Sequence, residues 1–247
     1  VQRGVAVVGL CGGVRTYVLA DRITRDTCFV LSSTEEAILL ANWLQGRAAE
    51  MADWVQAEHN PVETSRPGLL SRHAKLQEVH THVLGTMCHV LFRFTTGDAC
   101  GPNMMTRNAY ALAHGFVAAR FAAETGIQAV RIFLEANMGG DKKPSYAFFQ
   151  HPGHGKVVHA EISIPSTILR RVLRVDPSAL LALEHAGIHG AHASGMQSFA
   201  FTPASVVAAI YAATGQDLGM VGTSSMAQVS VSATEDGVHF SMRFSGL

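Results

Sequence analysis

The chain has 247 residues, of which 48% are hydrophobic and 15% charged, and its 19 basic residues balance its 19 acidic ones. A neutral chain lacks the clustered Lys and Arg that nucleic-acid binding needs, and so many aliphatic residues exclude a disordered protein. The length is ample for a large core, and no run of about 18 apolar residues predicts a membrane-spanning helix.

The first half of the chain alternates apolar runs with helical patterns. Ser33 and Glu36 have the spacing of a capping box, which predicts the start of a helix. The predicted elements are a strand over 26–31, a helix from Ser33 toward Val55, a loop over 59–70, strands over 75–84 and 86–94, a helix over 104–124 and a strand over 127–134. This β-α-β-β-α-β order is the split-βαβ or ferredoxin-like pattern.

The second half predicts a mixture of helices and strands. Pro177 and Pro203 each stand where a helix begins, a position at which the missing N–H of proline costs nothing. The elements are a strand over 157–164, a helix capped by Ser166, helices from 177 and over 204–213, and a hairpin of 226–233 with 238–244. We therefore predict an α+β fold: a small ferredoxin-like domain over 26–138 inserted in a larger mixed domain of 1–25 and 139–247.

Three polar segments lie between apolar elements. Thr95–Asn103 is a strand-to-helix turn with two glycines, which predicts either a phosphate or carboxylate site at the helix N-terminus or an ordinary turn capped by Asp98 or Asn103. Asn137–Pro144 carries Asp-Lys-Lys, which predicts either a lysine that stabilises an oxyanion or a solvated charged turn. In Thr214–Asp217 an acid ends a helix, which opposes the helix dipole and favours a partner cation or a functional role.

The strings GDACGPNM, DKKP and IYAATGQD, in this order and spacing, resemble the 3-hydroxy-3-methylglutaryl-CoA (HMG-CoA) reductase family, in its eukaryote-like class. The likeness runs from Arg3-Gly4 to the hairpin near residue 244. The predicted β-α-β-β-α-β segment falls where that family inserts its small nucleotide-binding domain. The resemblance implies an NADPH-dependent oxidoreductase that reduces an acyl thioester to an alcohol.

The resemblance also implies roles for individual residues. Lys142 matches the catalytic lysine that polarises the carbonyl, and Asp217 matches the aspartate that sets its charge. The residues that match contacts to the substrate are Arg25, Asn137, Asp141 and Lys143. The residues that match the NADPH site are Ser71 and Arg72 at the 2′-phosphate, with Asp98, Cys100, Gly101 and Asn103 in the dinucleotide turn.

The sequence departs from the family at several positions. The substrate-loop serine is replaced by Glu135, which adds negative charge near a site for a carboxylate and should weaken binding of that substrate. A site asparagine is replaced by Ser205, the aromatic after the serine-arginine pair is His73, and Cys100 stands where methionine is usual. The catalytic glutamate and the histidine that protonates the CoA thiolate would fall outside these 247 residues.

The histidines and cysteines predict no metal site. His185, His189 and His192 have a spacing that could hold zinc on one helical face, but two glycines interrupt that helix and the family uses no metal. The 4 cysteines are scattered without a CxxC pair, which indicates reduced thiols and a cytoplasmic protein.

Three functional hypotheses follow from the sequence. The first is an NADPH-dependent reductase of an acyl-CoA or carrier-bound thioester, in isoprenoid or secondary-metabolite biosynthesis. The second is a reductase fold recruited to non-reducing chemistry on an acyl thioester or a related biosynthetic intermediate, and the third is a binding or regulatory module. We also expect a homodimer or a dimer of dimers, because the family shares its site between subunits and the chain is poorly charged.

Overall fold

A computed structural model describes residues 1–56, 71–150, 153–196, 198–201 and 203–247, except the side chains of Phe148 and Gln150. The strands are β1 (Arg15–Val30), β2 (Lys75–Leu84), β3 (Met87–Thr95), β4 (Arg131–Phe133), β5 (His154–Pro165), β6 (Ala227–Ala233) and β7 (Gly237–Phe244). The helices are α1 (Gln2–Leu10), α2 (Thr34–Leu44), α3 (Ala48–Gln56), α4 (Pro102–Ala111), α5 (Ala119–Thr125), α6 (Ala147–Gln150), α7 (Ser166–Ile168), α8 (Pro177–Ala193), α9 (Ala204–Thr214) and α10 (Val221–Ser224). Leu112–Ala118 and Leu169–Leu173 are π-helical, and Leu218–Met220 is a 3-10 turn.

The chain divides into two compact units. The first contains Val1–Asp21 and Lys142–Leu247, and the second contains Arg22–Asp141. The boundaries predicted from the sequence, after residues 25 and 138, lie a few residues from the observed ones, after residues 21 and 141. The assignment of NADPH and substrate to separate domains stays a prediction.

The second unit is built on an antiparallel sheet in the order β2-β3-β1-β4. This is the strand order of a ferredoxin-like fold, so the predicted α+β class and split-βαβ pattern are confirmed. Alternate residues of β3 point into the core, where Val90, Phe92 and Phe94 pack with Phe29 of β1 and Phe116. Such burial of large side chains supplies the main stabilisation, about 1.5–3 kcal/mol for each.

The sheet of the first unit has the order β1-β5-β7-β6, and the β6–β7 hairpin is confirmed. Its core is smaller and centres on Val7, Ile164, Leu169, Val231 and Val238. Helix α8 begins at Pro177, as predicted, although Asp176 does not cap it and pairs with Arg170 instead, at 2.6 Å.

Several element boundaries differ from the sequence-based expectations. Strand β1 begins at Arg15, before the strand predicted from residue 26. Its first half is exposed although it includes the apolar side chains of Tyr17, Val18 and Leu19, and its buried residues lie in the second half. The helix predicted from Ser33 is two helices, since Gly46 between them adopts a φ of +77°. The Ser33 side chain caps α2 as predicted, accepting from the Glu36 N–H at 3.1 Å. The loop over 59–70 lies outside the described residues.

The last strand of the ferredoxin-like pattern and one predicted cap also differ. Strand β4 covers only Arg131–Phe133 of the predicted 127–134. Ser166 is inside α7 rather than capping it, because β5 runs on to Pro165 and the Ser166 N–H donates to the Asp236 carbonyl at 2.8 Å.

Candidate active site

A lysine–aspartate ion pair lies in the first unit. The Nζ of Lys142 is 2.6 Å from Oδ2 of Asp217, and the two side chains are 44% and 34% exposed. Lys142 lies in the loop before α6 with a φ of +59°, a left-handed conformation that is uncommon for a residue with a side chain. Such strained backbone persists where the surroundings hold it and is concentrated at functional sites.

Asp217 is positioned by the turn that follows α9. Gly215 ends that helix in the left-handed conformation, and Asp217 then caps the 3-10 turn, with Oδ1 accepting from the Gly219 N–H at 2.9 Å. The acid thus stands at the start of one helical turn as well as at the end of a helix. The partner cation that its position suggested in the sequence is Lys142.

The pKa of the Asp217 carboxyl is lowered from its ordinary value. The hydrogen bond from Lys142 is the largest cause, followed by the backbone N–H of Gly219, with smaller contributions from the charges of Lys142 and His154. Asp217 is therefore ionised at neutral pH. His154 is buried at the start of β5, and no sequence pattern connects it with this pair.

Gly219 allows the lysine and the aspartate to approach. A Cβ built on it would lie 3.0 Å from Oδ1 of Asp217 and 3.2 Å from Cδ of Lys142. No motif in the sequence marked this glycine as a site residue. Its signal was available, since a glycine two residues after an acid is typical of an Asx turn.

The second unit brings together two residues that were predicted to contact substrate. Arg25 of β1 and Asp141 lie with Nη2 and Oδ2 3.8 Å apart, and both side chains are largely buried. Glu135 joins them, with Oε2 2.5 Å from Nη1 of Arg25. Asn137, with a φ of +74°, donates its backbone N–H to Oε1 of Glu135 at 2.9 Å. Lys143 is exposed and belongs to the first unit.

A buried Asp26–His89 pair holds the loop that carries these residues. Nδ1 of His89 lies 3.0 Å from the Asp26 carboxylate, which also accepts the Met138 N–H at 2.9 Å. Gly139 packs so closely on β1 that a Cβ there would come within 3.0 Å of the Thr24 carbonyl oxygen. Sequence reasoning missed this pair, because Asp26 and His89 are 63 residues apart and only the sheet register joins them.

The glycine-rich turn of the second unit ends at α4. Gly101, the N-cap residue that precedes α4, has a φ of +80°, and a Cβ there would lie only 2.3 Å from Cγ2 of Thr96. Among the described residues no side chain caps this helix, so the alternative of a turn capped by Asp98 or Asn103 is wrong. Both of those side chains are exposed and Cys100 is half-buried.

Ser71 lies beside the first turn of α4. Its hydroxyl donates to Sδ of Met104 at 3.4 Å and accepts from the backbone N–H groups of His73 and Ala74. The two segments that were predicted to bind NADPH are therefore neighbours within this unit. Ser71 is buried and Arg72 is exposed.

The described residues contain no group of three or more His, Cys, Asp or Glu side chains placed to hold a metal ion. On α8 the rings of His185 and His189 lie 4.4 Å apart, centroid to centroid, as a pair. No described helix is both long enough and apolar enough to cross a membrane.

The structure defines an α+β protein whose second unit is ferredoxin-like and whose first unit carries a lysine–aspartate pair. Comparison with known proteins identifies its family. The chain belongs to the hydroxymethylglutaryl-coenzyme A reductase family, whose model matches residues 1–247.

Individual relatives agree with this family. A 3-hydroxy-3-methylglutaryl-coenzyme A reductase of Aeropyrum pernix is 32% identical over 227 residues, which are 92% of this chain and 50% of that protein. One of Fusarium fujikuroi is 33% identical over 223 residues, which are 89% of this chain and 21% of that protein. The chain thus spans about half the length of the archaeal relative and about a fifth of the fungal one.

A solved structure shares the fold. The class II 3-hydroxy-3-methylglutaryl-CoA reductase from Streptococcus pneumoniae, bound to NADPH in open conformations, matches with a TM-score of 0.60 at 15% identity. The match covers 97% of this chain and 61% of that one.

Proposed function

We propose that this chain carries out NADPH-dependent reduction of an acyl-CoA or carrier-bound thioester to an alcohol. The observation that carries the proposal is the Lys142–Asp217 ion pair, with Lys142 in a left-handed backbone conformation. A cation fixed before the reaction stabilises the negative charge that develops on a carbonyl oxygen as a hydride adds to carbon.

The same cation serves both halves of the reaction. The thioester takes up one hydride and releases CoA as its thiol, and the resulting aldehyde takes up a second hydride to become the alcohol. The balance is two NADPH and two protons for each thiol released. Lys142 meets an oxyanion in both halves, and Asp217 holds the proton and orientation of its Nζ.

The residues of the second unit fit NADPH. The first turn of α4 presents backbone N–H groups that no side chain caps among the described residues, which suits a phosphate. Gly101, Asp98, Cys100 and Asn103 would border the dinucleotide there, and Ser71 would hold Arg72 beside it. When bound, NADPH supplies the hydride. Arg72 would contact the 2′-phosphate, which distinguishes NADPH from NADH.

We further propose that Arg25, Asn137, Asp141 and Lys143 contact the acyl group, and that the protein is cytoplasmic and at least a homodimer. An apolar cavity of about 320 Å³ in the first unit, lined by α1, β5 and β7, supports self-association. So do the exposed side chains of Val18 and Leu19, which are 61% and 62% accessible. Sedimentation at low micromolar concentration should show a dimer, and a monomer alone would contradict this.

Non-reducing chemistry on an acyl thioester or a related biosynthetic intermediate is the second candidate, favoured by the engagement of Arg25 by Glu135. The two candidates differ in their use of NADPH. In an assay with a panel of acyl-CoA thioesters, the reductase oxidises two NADPH for each CoA thiol released. Thiol release without NADPH oxidation would favour the second candidate and contradict the first.

A further inference from the structure

One basic and two acidic side chains form a charged cluster in the second unit: Arg25, Glu135 and Asp141. Arg25 lies between the two carboxylates, 2.5 Å from Glu135 and 3.8 Å from Asp141. The exposed fractions are 11% for Arg25, 30% for Glu135 and 9% for Asp141. Water therefore screens these charges only weakly.

The formal charge of this cluster at neutral pH is −1, one arginine against two carboxylates. A ligand carboxylate that reached Arg25 would also meet two like charges within a few ångströms of the guanidinium. The attraction of one cation is thus offset before the ligand arrives. A neutral ligand group meets no such repulsion.

Two atoms of the cluster point to the chemistry of that neutral group. Nε of Arg25 and Oδ1 of Asp141 are buried and have no hydrogen-bond partner among the described residues. Nε of Arg25 is a hydrogen-bond donor and Oδ1 of Asp141 is an acceptor. A hydroxyl can both accept and donate, whereas an ionised carboxylate only accepts and would leave the aspartate oxygen unsatisfied.

Glu135 is held at Arg25 by more than the ion pair. Its second oxygen accepts the Asn137 N–H at 2.9 Å, and the next residue, Met138, is bonded to buried Asp26. The carboxylate is therefore part of an ordered loop. Glutamine in its place keeps an oxygen for the Asn137 N–H and removes the charge.

We propose that Glu135 determines substrate specificity: it neutralises Arg25, so that the chain takes acyl thioesters with an uncharged, hydroxyl-bearing acyl group and discriminates against those with a free carboxylate. The proposal rests on the proposed function, in which Arg25 and Asp141 contact the acyl group. It names Glu135 as the residue that excludes the carboxylate.

Calorimetric binding of two CoA thioesters tests this. The probes are 3-hydroxybutyryl-CoA, which is neutral beyond the thioester, and 3-hydroxy-3-methylglutaryl-CoA, which carries a carboxylate. We expect the wild type to bind the neutral probe more tightly. Glu135→Gln should tighten binding of the carboxylate probe by about tenfold or more, the size of one charge contact at a partly buried site, and leave the neutral probe within about twofold.

Glu50→Gln is the matched control, because Glu50 also pairs with arginines of this unit, Arg47 and Arg120, and its replacement changes the net charge equally. It should change neither affinity. If Glu135→Gln does not fold, as judged by its thermal transition, Glu135→Ser is measured in its place.

A wild type that prefers the carboxylate probe, binds neither probe, or keeps its preference after the Glu135 change overturns the proposal. NADPH oxidation is recorded separately with both probes. Absence of oxidation together with the expected affinities would contradict the reductase function and leave the specificity assignment standing. NADPH oxidation together with an unchanged preference between the two probes in Glu135→Gln would support the reductase function and overturn the specificity assignment.

Discussion

The Nζ of Lys142 lies 2.6 Å from Oδ2 of Asp217, and Gly219 packs against both side chains. The other carboxylate oxygen of the aspartate, Oδ1, accepts the Gly219 N–H. The lowered pKa of the Asp217 carboxyl keeps it ionised as the partner of the lysine. This relationship is the basis of the chemistry proposed above, and its parts can be tested one by one.

Gly219→Ala should reduce turnover by about tenfold or more, because small displacements of a catalytic group have large effects. The added methyl would crowd the lysine and the aspartate, at 3.2 Å and 3.0 Å. Steady-state kinetics and thermal unfolding should be measured together. Gly190→Ala on α8 is the control, because a Cβ there meets nothing within 4 Å. Equal turnover in the two variants would contradict the role given to Gly219.

Asp217→Asn should lower turnover through Lys142. The amide cannot hold a charge, although it can still accept the Gly219 N–H and so preserve the turn. Because both residues act in one pair, the double variant Lys142→Met with Asp217→Asn should be little slower than Lys142→Met alone. Multiplicative effects in a double-mutant cycle would show that the two residues act independently.

Arg72→Ala should reduce the preference for NADPH over NADH. Arg72 is exposed and directly follows Ser71, which lies beside the first turn of α4. Nucleotide fluorescence titration gives the affinities for NADPH and NADH. We expect Arg72→Ala to bind NADPH about tenfold or more weakly and to bind NADH with unchanged affinity. Arg171→Ala in the first unit removes another exposed arginine as a control. An unchanged affinity ratio in Arg72→Ala would refute the 2′-phosphate contact.

Glu78 should stabilise the second unit in a pH-dependent way. Its pKa is lowered to about 2, first by the hydrogen bond with His80 and then by Arg93, whose Nη1 lies 2.7 Å away. A lowered folded-state pKa stabilises the protein above the ordinary value near 4.5, and this is lost as the pH falls toward 2. Denaturant unfolding should therefore show a lower free energy of unfolding for Glu78→Gln than for the wild type at pH 6, and this difference should disappear toward pH 2. A difference that is independent of pH would contradict the assignment.

Much of the fold could be predicted from the sequence, because its signals are local. The Ser33 cap, the alternating Val90, Phe92 and Phe94, and the turn before β7 each act over a few residues. The exposed half of β1 and the break at Gly46 were not predicted. The apolar run of residues 17–20 lacks the polar–apolar alternation of a half-buried strand, and a glycine alone does not end a helix.

The candidate site was predicted only in part. Motif resemblance selected Lys142, Asp217, Arg25 and Asp141, and the structure pairs the first with the second and the third with the fourth. The motif resemblance did not reveal that Glu135 contacts Arg25 directly or that Asp26 and His89 anchor the loop. Those contacts join residues about 60 to 110 positions apart, and no local pattern encodes them.

The most direct test is the turnover of Lys142→Met with NADPH and the preferred acyl-CoA thioester. The variant keeps most of the side-chain stem and removes the cation. We predict that its turnover falls by about 10²–10³-fold while NADPH affinity and the thermal transition are unchanged. An active wild type with an equally active Lys142→Met variant would contradict the account.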